Sequence, residues 1–261
     1  MKNILITVAF LLCSVWVMGQ STIQPRPIGD DFKGFIYNQE VAVNLRGHTN
    51  GFAFGVDIGR IKTYYQTKYF HIEIGELKHA KESRQSPDYA SSPNGKVSRA
   101  FKFGKQNSFY ALRAGFGNKR YFSEKAKRKG VAVGISYEGG ATLGMIKPYY
   151  LELFSPENGG NPVTTRYSEE NRERFLDIWQ IYGSASWTNG LNELSVIPGV
   201  HGKLAVHFDW GAFDEYVKAI EAGIMLDVFS KKVPIMVETE NTRNRAYFLN
   251  LFVNLQFGKR W

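Results

Sequence analysis

The stretch YFLNLFVNLQFGKRW, residues 247–261, alternates with a period of two. Its odd positions are Tyr247, Leu249, Leu251, Val253, Leu255 and Phe257, all large and apolar. Its even positions are Phe248, Asn250, Phe252, Asn254, Gln256 and Gly258, which are polar or small apart from the two phenylalanines. Successive side chains of a strand point to opposite faces, so this pattern predicts a strand with one apolar and one polar face. The run exceeds the roughly five or six residues of a common soluble strand and reaches the roughly 9–11 that cross a bilayer.

The same alternation recurs upstream. Across 196–210 the even face carries Val196, Val200, Leu204, Val206, Phe208 and Trp210, and the odd face carries His201, Lys203, His207 and Asp209. Across 216–229 Ile220, Ile224, Leu226 and Val228 alternate with Ala219, Glu221, Gly223 and Asp227. Across 131–145 Val133, Ile135, Tyr137 and Leu143 alternate with Gly134, Ser136, Glu138 and Thr142. Shorter runs at 35–46, 52–59, 69–75, 110–117 and 149–153 agree, and a weak one at 99–103 brings the expected total to ten strands. Short connections (61–66, 104–107, 146–148, 211–215) then alternate with long ones (78–97, 118–129, 155–194, 230–243), and only 47–51 breaks the rhythm. A bacterial outer-membrane barrel has an even strand number, short periplasmic turns and longer outer loops. The expected fold is therefore all-β: a closed antiparallel transmembrane β-barrel of about ten strands.

Composition is compatible with this and excludes a helical alternative. Only 43% of the 261 residues are hydrophobic, too few for several apolar helices of roughly 20 residues each. Residues 1–19, with Lys2 followed by the apolar run Ile4–Val17, have the layout of a secretory signal peptide. Residues 20–33 are expected to be a periplasmic lead-in, and 34–261 the barrel domain. Leu12 precedes Cys13, the one cysteine, which argues against a lipobox, and cleavage leaves a chain without thiols. The chain is thus expected to be exported to the outer membrane of a Gram-negative bacterium.

Four stretches, HTNGFAFGVDIG (48–59), ELKHAKESR (76–84), YEGGATLGMIKPYYLEL (137–153) and FLNLFVNLQFGKRW (248–261), resemble an outer-membrane β-barrel family of Bacteroidota-type bacteria. The resemblance spans most of the mature chain. It implies the same fold and location, and it implies no reaction, ligand or catalytic residue.

In a membrane barrel the polar face lines the lumen. Parity assigns to it Glu40, Asp57, His71, Glu73, Lys102, Arg113, Glu138, Glu152, His201, Lys203, His207, Asp209, Glu221 and Asp227, with Arg46 near the rim. Buried charges need partners, so these residues are expected to form an ion-paired plug. The net charge of +9 is concentrated in connections. Lys119, Arg120, Lys125, Lys127, Arg128 and Lys129 crowd the 118–129 connection. Placed outside, they would meet lipopolysaccharide phosphates. Tyr247, Leu249, Leu251, Val253, Leu255 and Phe257 form the terminal strand, the expected signal for the barrel-assembly machinery.

Catalytic patterns are sparse. His201 and His207 share a face, but six residues of strand separate them by about 20 Å, which excludes a joint metal site. No nucleophile motif, metalloprotease motif or nucleotide loop is present, so neither a cofactor nor a metal is expected. Export argues against a nucleic-acid partner. In the longest connection, Phe175, Ile178, Trp179 and Tyr182 fall at helical spacing and predict a short amphipathic helix over the barrel mouth or toward a partner. The expected function is non-enzymatic: an envelope or accessory barrel with a filled lumen, contacting lipopolysaccharide or an outer-membrane protein complex. The rival expectations are a narrow passive channel and, behind it, a surface hydrolase or acyltransferase.

Overall fold

The computed structural model describes residues 37–63, 65–86, 98–122, 130–155, 161–212 and 214–261. The expected signal peptide (1–19) and the whole expected lead-in (20–33) lie outside the described residues. Eight long strands form a closed antiparallel barrel: β1 (Gln39–His48), β2 (Gly51–Thr63), β3 (Gln66–Leu77), β4 (Asn107–Tyr121), β5 (Ala132–Pro148), β6 (Ser195–Asp209), β7 (Tyr216–Phe229) and β8 (Tyr247–Arg260). Each strand pairs with its neighbours in sequence, and β8 closes on β1 from Glu40↔Arg260 to His48↔Phe252. Every backbone ladder is thereby satisfied without a free edge, as a lipid environment requires. Among the described residues no helix is long and apolar enough to cross a membrane.

The barrel is inside out relative to a soluble protein. Leu249, Leu251, Val253 and Phe257 of β8 are exposed, while Asn250, Asn254 and Gln256 between them are fully buried. Across the sheet the same division holds: Phe54, Ile72, Leu112, Tyr137, Leu204 and Ile224 face outward, and Asp57, Arg113, Glu138, Lys203 and Glu221 face inward. An apolar band around a charged interior identifies a membrane-spanning barrel.

The strand number is eight, not ten. The weak 99–103 segment yields only Phe101–Lys102, a two-residue strand paired with Arg84–Gln85 outside the barrel and followed by a turn at Gly104 with φ +65°. The 149–153 segment becomes Tyr150–Phe154, in which Leu151, Glu152 and Leu153 are all buried. Burial of both faces marks a strand inside a loop assembly, not one with a lipid side. The two extra strands reverse the expected chain direction between them and then restore it. Residues 118–121, expected in a connection, belong to β4, and β4 ends and β5 begins at the end of the barrel that holds Gln39 and Arg260. That terminus end also carries the connections 64–65 and 210–215, and the far end carries 49–50, 78–106, 149–194 and 230–246.

The far-end connections form a cap. Tyr150–Phe154 lies between Ile181–Ser184 and Pro162–Arg166 in a three-stranded sheet. Phe101, Leu151, Leu153, Phe175, Ile181 and Val237 pack into its core. The predicted amphipathic helix is only one turn, Arg172–Phe175. Asp177 then accepts from the Trp179 amide and starts a separate 3-10 turn, Ile178–Gln180. Phe175 and Tyr182 are buried, whereas Ile178 and Trp179 are exposed, so the stripe is split between cap core and surface.

Candidate functional site

The lumen holds the densest collection of functional groups, arranged in tiers. At the terminus end, Glu40 on β1 receives Lys119 Nζ from β4 at 3.0 Å and Arg260 Nε from β8 at 2.8 Å. Arg260 Nη2 reaches Asp209 on β6 at 2.8 Å, and the Tyr121 hydroxyl donates to the same carboxylate at 2.9 Å. In the middle, Lys203 Nζ lies 2.9 Å from Glu138 and 3.5 Å from Glu221. His201 contacts Glu138 at 3.2 Å, His207 contacts Glu221 at 3.1 Å, and His71 Nδ1 sits 2.5 Å from Asp57. Tyr69 donates to Glu138 at 3.1 Å. Gly117 makes room for that ring, since a Cβ there would lie 2.2 Å from Tyr69 Cζ. Toward the far end, Glu73 bridges Arg46 at 2.9 Å and Arg113 at 2.7 Å, and Arg113 continues to Asp227 at 2.7 Å.

Seven carboxylates thus face five Lys and Arg side chains, with His71, His201 and His207 between them. Every one of these charges has an opposite charge within ion-pair distance. Arg113 and Arg260 each use several donor nitrogens, the arrangement in which a buried charge is best compensated, whereas Arg46 holds Glu73 through Nη1 alone.

Above this network the interior turns apolar. Leu77, Phe109, Ile146, Ile197, Phe229 and Phe248 point inward at the far end, and Val233, Ile235 and Met236 pack onto them from the 230–246 connection. Phe248, which breaks the alternation of its strand, belongs to this layer, with its ring stacked 5.9 Å from Phe109. Phe252 sits beneath the Arg46 guanidinium at 4.8 Å. The strap that carries Ile235 is pinned: the Ile235 carbonyl accepts from Gln106 N at 2.9 Å and Asn107 N at 3.0 Å. The Asn244 side chain bonds the amides of Ile235 and Met236 and the Met236 carbonyl.

Placement of the sequence-predicted residues is mostly, but not wholly, luminal. Glu40, Asp57, His71, Glu73, Arg113, Glu138, His201, Lys203, His207, Asp209, Glu221 and Asp227 are buried within the barrel. Lys102 and Glu152 are not luminal; both belong to the cap because their segments are not barrel strands. Lys102 instead pairs with Glu82, which also holds Lys105 at 2.9 Å. Burial pushes Glu82 up, but Lys105 and Lys102 outweigh it and leave the carboxyl below its usual range. Burial is also the largest influence on Lys105 and brings its ammonium down to about 8.

Lys119, expected among the lipopolysaccharide contacts, is a luminal residue, since β4 runs to Tyr121 and turns it inward onto Glu40. Arg120 is exposed on the outer face of that strand at the terminus end, not on a far-end loop. Lys125, Lys127, Arg128 and Lys129 fall outside the described residues. Arg46 lies deep in the network, not at the rim, and Arg260 was missed because the alternation was read only to Phe257. Continuing the same parity two residues past Gly258 finds it. Among the described residues no three His, Cys, Asp or Glu side chains are grouped to hold a metal.

Fold and lumen together define an eight-stranded membrane barrel with a paired, capped interior. No protein-family model and no curated protein matches the chain. Solved structures similar to it include the N-terminal β-barrel domain of Pseudomonas aeruginosa OprF, at 9% identity and TM-score 0.36, covering 86% of this chain and 98% of that one. Neisserial surface protein A has 10% identity and TM-score 0.32, with 86% and 95% covered. The Yersinia pestis attachment invasion locus protein Ail, solved with the heparin analogue sucrose octasulfate, has 8% identity and TM-score 0.34, with 86% and 97% covered. At these scores the fold assignment rests on the chain's own strand pairing.

Proposed function

We propose that this chain is a non-conducting outer-membrane barrel that works through its surface. It is a non-enzymatic envelope or accessory component whose far-end cap faces the outside and meets lipopolysaccharide or a protein complex. The far-end connections 78–106, 149–194 and 230–246 are each longer than any connection beside the termini, which supports this sidedness, because outer-membrane barrels keep their shorter turns in the periplasm. The observation that carries the reading is the double closure of the lumen: a continuous ion-paired network below and the apolar layer from Leu77 to Phe248 above. Eight strands leave an interior just wide enough for side chains to fill. The cap offers Trp179, 72% exposed, beside Ile178 as the surface a partner would cover.

Planar-bilayer recording tests the reading. Purified protein is expected to insert without unitary conductance steps. Reproducible steps from the folded protein would overturn it in favour of a narrow channel.

A further inference from the structure

Four cations stand close together on the outside of the barrel at its terminus end. Arg60 on β2 lies directly opposite Lys68 on β3. Lys62 is the next outward residue of β2, and Arg120 on β4 lies opposite Gln66, one outward step from Lys68. All four are exposed, and among the described residues none has a carboxylate within ion-pair distance. Like charges directly opposed across two strands destabilise a sheet. The other side of the same rim differs: there Lys259 is paired with Glu215 at 3.1 Å.

Three of these cations, Arg60, Lys62 and Lys68, line one end of a groove of about 880 Å³ along β2, β3 and β4. Its other end is apolar, formed by Ile58, Phe70 and Phe116, and the rings of the two phenylalanines are 5.1 Å apart. Phe116 is 75% exposed. The size falls within the range of about 300–1,000 Å³ typical of small-ligand sites. The polarity runs in the direction a lipid requires, with charge at the membrane edge and apolar surface toward its middle.

The geometry points to a binding site for one anionic glycerophospholipid of the periplasmic leaflet. Its phosphate sits between Arg60 and Lys68, within reach of Lys62 and Arg120, and its acyl chains lie along Ile58, Phe70 and Phe116. The phosphate relieves the repulsion that the strand register builds in. This inference rests on the membrane-spanning reading and its sidedness, and it adds a site that the lumen and cap do not supply.

The test is native mass spectrometry of the purified full-length protein in detergent micelles, supplied in turn with phosphatidylglycerol, phosphatidylcholine and lipid A. The wild type should retain one phosphatidylglycerol, in preference to both of the others. Each interfacial Lys or Arg contributes about a factor of five toward an anionic lipid, so Arg60→Gln/Lys68→Gln should bind it about twenty-five-fold more weakly. Lys218→Gln/Lys259→Gln, on the other side of the rim, should bind it as the wild type does. Equal retention of phosphatidylcholine, equal retention by the Arg60→Gln/Lys68→Gln variant, or preference for lipid A would overturn the site. Heat-modifiable gel migration is recorded for each sample. A wild type that never shows it fails the barrel reading itself, whereas a folded barrel without lipid preference fails the site alone.

Discussion

Arg113 holds Asp227 with two parallel hydrogen bonds, Nε to Oδ1 at 2.7 Å and Nη2 to Oδ2 at 3.0 Å, across the lumen from β4 to β7. Its remaining terminal nitrogen, Nη1, goes to Glu73, which also holds Arg46. One guanidinium thus ties β7 across the lumen to the adjacent strands β3 and β4, on which Glu73 and Arg113 are register partners. Removing one partner of a buried pair costs more than removing both, because the survivor is left uncompensated in a low dielectric. Asp227→Leu is expected to destabilise the barrel by about 3–5 kcal/mol, and Arg113→Leu/Asp227→Leu by less. Urea unfolding in lipid vesicles checks the order. A double variant as unstable as the sum of the two single ones would show that the pair acts independently.

The lipid face should tolerate charge according to depth. Val253 is the middle of the outward row of β8, and Phe257 lies near its terminus-end rim. Val253→Arg is expected to cost about 2–4 kcal/mol and Phe257→Arg about 0–1 kcal/mol, the midplane and interfacial values for a barrel surface. Equal losses in a vesicle refolding titration would contradict the assigned depth.

Sidedness can be read with single cysteines. Thr188 lies in the far-end cap and Asp214 in the 210–215 connection at the terminus end. With a membrane-impermeant maleimide, Thr188→Cys should label in intact cells and Asp214→Cys only after the outer membrane is opened. The reverse pattern would invert the barrel.

The cap should respond to alkaline pH in an unusual direction. Lys105 is held at about 8, chiefly by burial, below its unfolded value of about 10.4. Between these two values the unfolded state binds more protons than the folded one, so this group's contribution to stability rises with pH. The Gln106 and Asn107 amides, bonded to the Ile235 carbonyl, should exchange more slowly above pH 8 once intrinsic rates are corrected. Lys105→Met should abolish that trend. A wild type whose corrected exchange quickens steadily over this window would refute it.

Legibility in the sequence followed the periodicity. Where one face meets lipid and the other a charged lumen, as in β6, β7 and β8, parity alone assigned nearly every side chain, because a period of two leaves only two choices. It failed where that asymmetry is absent. Tyr150–Phe154 is buried on both faces and mimicked a short barrel strand. Phe101–Lys102 was too short to be judged by alternation. Counting both turned the 104–148 region over and sent Lys119 to the outside, although its partner Glu40 was already assigned to the lumen. The apolar far-end layer was visible only as exceptions: Phe248 looked like a flaw in an alternating strand until the strap with Val233, Ile235 and Met236 supplied its partners.

The central claim is that β8 is a lipid-facing strand of a barrel with a charged interior. Nitroxide labels placed one at a time at positions 249 to 256, with the protein in lipid nanodiscs, test it most directly. Collision with dissolved oxygen should be high at Leu249, Leu251, Val253 and Leu255 and low at Asn250, Phe252, Asn254 and Gln256. Uniform oxygen accessibility along the strand, or high collision with a water-soluble nickel reagent at the odd positions, would contradict it.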